Sequence, residues 1–109
     1  MIRPALLLGA VTLAAACTND AGPAIPVDPA TIYTQMCARC HGLEGHGDPQ
    51  LKLTMPMRDF SDPAVRALSN DDLERVIMSG RKQMPPFGGL LSLPKLQSVS
   101  GYVKRLGAR

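Results

Sequence analysis

The chain has 109 residues, with ten glycines, ten prolines, two tyrosines, two phenylalanines and no tryptophan. One small domain is the expectation, and its side chains alone would make a thin, loop-rich core. A formal charge of +3, with no basic run and no aromatic residues among the charges, excludes a nucleic-acid-binding surface.

Residues 1–17, MIRPALLLGAVTLAAAC, place Arg3 ahead of an apolar stretch too short to span a bilayer. That is the order of an export signal, and LAAAC resembles a lipobox in which Cys17 becomes the lipidated first residue. Lipidation also gives a role to the odd one of three cysteines. Plain secretion to the periplasm, with Cys17 incidental, is the alternative. Residues 18–28, TNDAGPAIPVD, are small, polar and proline-containing, and read as a flexible tether. The folded domain is expected over residues 29–107.

Three helices follow. The first starts in DPATIYTQMC, where Asp28 is the cap, Pro29 suits the first turn, and Ile32, Tyr33 and Met36 fall on one face. The second is SNDDLERVIMSG, with a capping box from Ser69 and Asp72, an apolar stripe of Leu73, Val76 and Ile77, and Gly80 as the stop. The third is SLPKLQSVSGYVKRLG, with Ser92 as cap, a stripe of Leu96, Val99, Val103 and Leu106, and Gly107 beyond its end. No segment alternates at period two. The fold class is therefore all-α, with long loops over about 42–68 and 81–91.

The first helix ends in CARCH, residues 37–41, for which three chemistries compete. A redox CxxC normally follows a strand, and none precedes this one. A zinc site needs a second pair of ligands, yet no cysteine follows Cys40, and His41 and His46 are the chain's two histidines. Haem attachment uses all three side chains. Cys37 and Cys40, three apart on a helical turn, can both form thioethers to one porphyrin edge, and His41 can ligate the iron. A bound macrocycle would also fill the core that so few aromatic residues leave thin.

The second axial ligand decides the function. Met84, in GRKQMPPFGG beyond the second helix, is the first choice, because Pro85 and Pro86 stiffen the loop that carries it. Met55 and Met57, in LTMPMRDF, are rivals, and Met84 as a simple gap-filler is the bland alternative. Met36 and Met78 read as ordinary core. His46 lies too close to His41 in sequence to reach the opposite face, and reads as a surface residue or hydrogen-bonding partner. With His41 and Met84 both bound, no position is left for a small-molecule substrate, so an electron carrier rather than an enzyme is expected.

CARCHGLEGHGD, LSNDDLERVIMSGRKQMPPFGGLLS and the closing GYVKRL together resemble the single-haem class I cytochromes c of the small bacterial type, over roughly residues 29–107. The resemblance implies a small cytochrome c-like fold, three main helices and long loops wrapped around one covalently bound haem c and its iron. It makes Cys37 and Cys40 the thioether sites, His41 the proximal ligand and Met84 the distal one. It also places Tyr33 and Tyr102 where the first and last helices cross, with Gly101 allowing close approach, and makes the Pro49 carbonyl the group that orients His41. The family's usual tryptophan near the propionates is absent, and an arginine such as Arg58 or Arg81 is the replacement considered.

The partners implied are redox proteins, an electron donor and an acceptor, met at a membrane if Cys17 is lipidated. Arg39, Lys52, Arg81 and Lys82 could ring the haem edge, or simply form a solvated face. Loss of Arg3 with the signal leaves eleven bases against nine acids, which the two propionates would nearly cancel, so electrostatic steering is weak. The alternatives are a dedicated haem subunit of a dehydrogenase or oxidase complex, and a five-coordinate haem enzyme of peroxidase type or a gas sensor.

Overall fold

A computed structural model describes residues 28–109 of the chain. Cys17, the export signal and all of the tether except Asp28 lie outside the described residues. Within them run α1 (Pro29–Met36), α2 (Ala38–His41), a 3-10 turn at Leu51–Leu53, α3 (Pro63–Arg66), α4 (Asn70–Ser79) and α5 (Leu93–Gly107). No strand occurs among the described residues beyond a single bridge between Arg81 and Met84.

The three main helices stand where sequence chemistry puts them. In α1, Pro29 supplies the fixed φ of the first turn and Ile32 and Tyr33 are buried, although the Asp28 carboxylate makes no capping bond to the backbone. Helix α4 starts on a complete capping box: the Asp72 amide donates to Ser69 Oγ at 3.1 Å, and the Ser69 amide donates to Asp72 Oδ2 at 3.2 Å. Its Leu73 and Ile77 are buried and Val76 is half-buried. Met78, expected in the core, is instead 39% exposed. It faces the returning chain, with Cγ only 2.7 Å from where a Cβ on Gly88 would stand.

Helix α5 is the centre of the fold and packs against α1, α3 and α4. Leu96, Val99, Val103 and Leu106 are buried together with Ile32, Tyr33, Leu73, Ile77 and Leu91 in one cluster. Each such aliphatic side chain contributes on the order of 2 kcal/mol of transfer free energy. Ser100 is buried within the stripe, and donating its hydroxyl to the Leu96 carbonyl at 2.8 Å removes the cost of an unpaired polar group.

Two glycines depart from the roles expected of them. Gly107 is the last residue of α5, not a residue beyond it. It is small because a Cβ there would sit 2.4 Å from the Phe60 carbonyl oxygen. At Gly101 a Cβ would meet only the Arg105 guanidinium, at 3.4 Å, so the α1–α5 crossing does not depend on it. Tyr33 and Tyr102 make that crossing, with ring centroids 5.2 Å apart and planes tilted by 48°.

The long loop of residues 42–68 holds more structure than its composition suggests. Asp62 caps α3 by accepting from the Ala64 amide at 2.8 Å, and Pro63 opens the helix. Asp48 accepts from the Gln50 and Leu51 amides at 2.9 and 3.0 Å, which starts the 3-10 turn.

Candidate functional site

Helices α1 and α2 are one helical run broken at Cys37, whose φ of −119° departs from helical geometry. The turn is nonetheless continuous in hydrogen bonding. The Cys37 amide donates to the Tyr33 carbonyl at 2.9 Å, and the His41 amide donates to the Cys37 carbonyl at 3.0 Å. A short helix leaves its last carbonyls open, and the chain after it folds back to close them. Gly42 donates to Ala38, Gly47 to His41 and Asp48 to Cys40, at 2.8, 2.7 and 2.8 Å. The Tyr33 hydroxyl donates to the Gly42 carbonyl at 2.6 Å. Burial raises its pKa well above the ordinary tyrosine value, with Cys37 and Tyr102 adding to the effect. The CARCH segment is thereby fixed by α1 on one side and by residues 42–48 on the other.

Cys37 and Cys40 are both unpaired and half-buried. Burial pushes the Cys37 thiol up to about 11, with Cys40 adding to the shift, so it stays protonated at neutral pH. No group of three histidine, cysteine or acidic side chains able to hold a metal occurs among the described residues. Among the described residues the zinc alternative therefore has no ligand set.

His41 is a neutral imidazole, since burial lowers its affinity for a proton and leaves a lone pair for a metal. Its Nδ1 is, among the described residues, the one buried side-chain nitrogen or oxygen without a hydrogen-bond partner. The Pro49 carbonyl, expected to orient the ring, does not bond it. Asp48 explains this: its amide is held by Cys40 and its carboxylate by the 3-10 turn, and Pro49 is left exposed on the outside of that turn. The imidazole packs instead on Phe60, with centroids 4.9 Å apart and planes at 34°. Sequence reasoning missed Phe60. Its signal was rarity, since the chain has two phenylalanines, and this one closes the LTMPMRDF segment that carries the rival methionines.

Met84 occupies a loop that α4 dictates. Gly80 ends that helix at a φ of 71°, and a Cβ there would stand 2.5 Å from the Met84 carbonyl oxygen and 2.8 Å from the Pro86 nitrogen. Arg81 and Met84 exchange backbone hydrogen bonds at 3.1 and 3.0 Å across a two-residue turn. Beyond Pro85 and Pro86, Phe87 and Gly88 donate back to the Ile77 and Met78 carbonyls, at 2.9 and 3.0 Å. The methionine is thus pinned on both sides. Of the other methionines, Met36 joins Met84 and Cys37 against the core cluster, whereas Met55 and Met57 are half-buried outside it.

These residues fit haem c. Two free cysteines on one helical turn, a neutral imidazole and a thioether on a loop with a pinned backbone are the donors that group requires. The remaining polar residues stand on the periphery. His46 bonds Asp59 Oδ2 at 2.9 Å and lies 3.7 Å from Glu44, on the surface. Arg58 pairs with Asp62 at 3.5 Å. Arg39, Lys52, Arg81 and Lys82 are all exposed, and Lys52 donates to the His46 carbonyl at 2.9 Å.

Residues 25–103 match the family described as cytochrome c oxidase, cbb3-type, subunit III. The chain is 36% identical to cytochrome c-555 of Methylococcus capsulatus, over 76% of this chain and 61% of that protein. It is 32% identical to cytochrome c6 of Rippkaea orientalis, over 74% of this chain and 73% of that one. Among solved structures, the c-type cytochrome KustC0563 superposes with a TM-score of 0.67 at 26% identity, covering 73% of this chain and 98% of its own. The chain belongs to the cytochrome c family, whose members hold haem c and its iron covalently.

Proposed function

We propose that this member of the family is a class I cytochrome c that passes single electrons between redox-partner proteins in the periplasm, tethered to the membrane by a lipidated Cys17. When bound, haem c supplies an iron that gains and loses one electron. In this reading Cys37 and Cys40 hold the group through thioethers, His41 offers a neutral imidazole, and Met84 offers a thioether from the opposite side. Residues 1–17 direct export, residues 18–28 set the reach of the tether, and residues 29–107 form the redox domain. Among the described residues no helix is long and apolar enough to cross a membrane.

The observation that carries the reading is the pinned Met84 loop. A loop backbone held by the Arg81 bridge and by the returns to Ile77 and Met78 would keep the thioether it carries in place as the charge beside it changed. The same ligands then serve both oxidation states, and methionine favours the reduced one. A filled position also excludes a substrate and a distal reaction. His46, which a peroxidase-like chemistry would need near that face, stands at the surface bonded to Asp59.

One finding favours a second reading, permanent docking on one enzyme complex: the matching family is described as an oxidase subunit. The site would be the same and the partner different. Potentiometric titration of protein co-expressed with haem-attachment machinery tests the main reading. A single one-electron wave, with no carbon monoxide binding by the reduced form, is expected. A high-spin protein that binds carbon monoxide at once contradicts it. For the anchor, Cys17→Ser should move the protein to the soluble periplasmic fraction, and retention in the membrane contradicts lipidation there.

A further inference from the structure

Lys104 and Arg105 stand in the last turn of α5, and Arg66 in the last turn of α3. Cations suit these positions, because the open carbonyls of a helix C-terminus are negative. The packing of α3 on α5 brings the two helix ends together. A cavity of about 310 Å³ lies there, lined by those three side chains and walled by Phe60, Val65, Leu73 and Val103. Leu73 and Val103 belong to the buried core, and Phe60 and Val65 are half-buried. None of Cys37, Cys40, His41 and Met84 lines this cavity.

Its charge is one-sided. No acidic residue lines it, and Arg66, Lys104 and Arg105 are all exposed. Among the described residues, none of the three forms an ion pair, whereas Arg58 and Arg75 are paired with Asp62 and Asp72. Arg105 lies over the Tyr102 ring, 5.8 Å from its centroid, which restrains its planar head. Two guanidinium groups and an ammonium are donors suited to a carboxylate, which an arginine can hold through two parallel bonds. An apolar hollow with a few convergent charged groups is the make-up of a small-ligand site. The volume admits about ten non-hydrogen atoms, at the roughly 30 Å³ that a water takes in the liquid. That is one short alkyl tail, and far less than the two chains of a phospholipid.

We propose that this cavity binds a medium-chain fatty carboxylate, with its tail against Val65, Leu73 and Val103 and its head on Arg66, Lys104 and Arg105. The site stands apart from the haem donors, so it does not depend on which residues ligate the iron.

The test is calorimetric titration of the haem-loaded protein carrying Cys17→Ser, which has no acyl chain of its own to compete. Hexanoate, octanoate, decanoate and dodecanoate are each titrated below the concentration at which they form micelles. Affinity should rise by up to about fourfold per methylene and level off near about ten carbons, where the cavity is full. Arg66→Gln combined with Lys104→Gln should weaken decanoate binding roughly tenfold. Val65→Trp fills the hollow and should remove the dependence on tail length. If Val65→Trp does not fold, the double variant decides alone, since both of its positions are exposed. Four results would each overturn the proposal: no saturable binding of decanoate, equal binding of the neutral amphiphile octyl glucoside, an affinity unchanged in the double variant, or binding to phosphatidylglycerol vesicles without binding to free decanoate.

Discussion

If Met84 ligates the iron as proposed, Gly80→Ala should loosen it without altering the methionine itself. Gly80 has a φ of 71°, and the left-handed region costs a non-glycine residue about 1–2 kcal/mol. The added methyl would also stand 2.5 Å from the Met84 carbonyl oxygen and 2.8 Å from the Pro86 nitrogen, separations that force the chain to move. The parts free to move are the Arg81–Met84 turn and the two prolines, because α4 is anchored by Leu73 and Ile77. Strain placed in the loop is relieved when the methionine leaves, so about 1–2 kcal/mol becomes a roughly 5- to 30-fold gain for a competing ligand. Titration with free imidazole, followed by the loss of the methionine–iron absorption, measures this directly. Urea unfolding run in parallel separates loop strain from global damage. An unchanged imidazole affinity, with the whole cost appearing in unfolding, would refute the idea that Gly80 shapes the ligand loop.

Other outcomes follow from the same geometry. Ser69→Ala removes one half of the α4 capping box and should lower stability by about 1 kcal/mol, read as a shift of the urea midpoint at constant slope. Leu96→Ala, in the first turn of α5 and buried in the core cluster, should cost about 2–5 kcal/mol in the same assay. Asp59 is held down to about 2, first by the Ser61 hydroxyl and amide and then by His46. Since its folded value lies below the unfolded one, its contribution is complete above about pH 4 and is lost as the pH falls through about 2. Asp59→Asn should therefore flatten the acid limb of the stability profile over that interval, and an unaltered limb would show that the Ser61 contacts do not persist in solution.

Much of this was legible in the sequence, and the reasons are physical. Helix α4 could be read almost to the residue, because a capping box, a stripe and a stop glycine are all local signals. The stripe of α5 is equally plain, yet by local signals alone Gly107 reads as its terminator. Its true constraint, the Phe60 backbone 47 positions earlier, leaves no local trace. Helix α3 was missed although its DPAVR opening repeats the logic of DPATI, since one turn shows no periodicity. CARCH and the Met84 loop stood out because their chemistry depends on residue type and spacing. Pro49 did not take its expected role, because Asp48 commits the chain to the 3-10 turn. Phe60 could not be found at all from spacing, as its contacts with His41, Tyr33, Gly45 and Gly107 are made only by the tertiary fold.

The ligation of Met84 is most directly tested by visible absorption spectra of the oxidised and reduced haem-loaded protein, wild type beside Met84→Ala. The account predicts a weak far-red charge-transfer band in oxidised wild type that the variant lacks, along with a variant that becomes able to bind carbon monoxide when reduced. A band absent from wild type, or one that survives in Met84→Ala, would contradict the assignment of Met84 and reopen the claim that the site is closed.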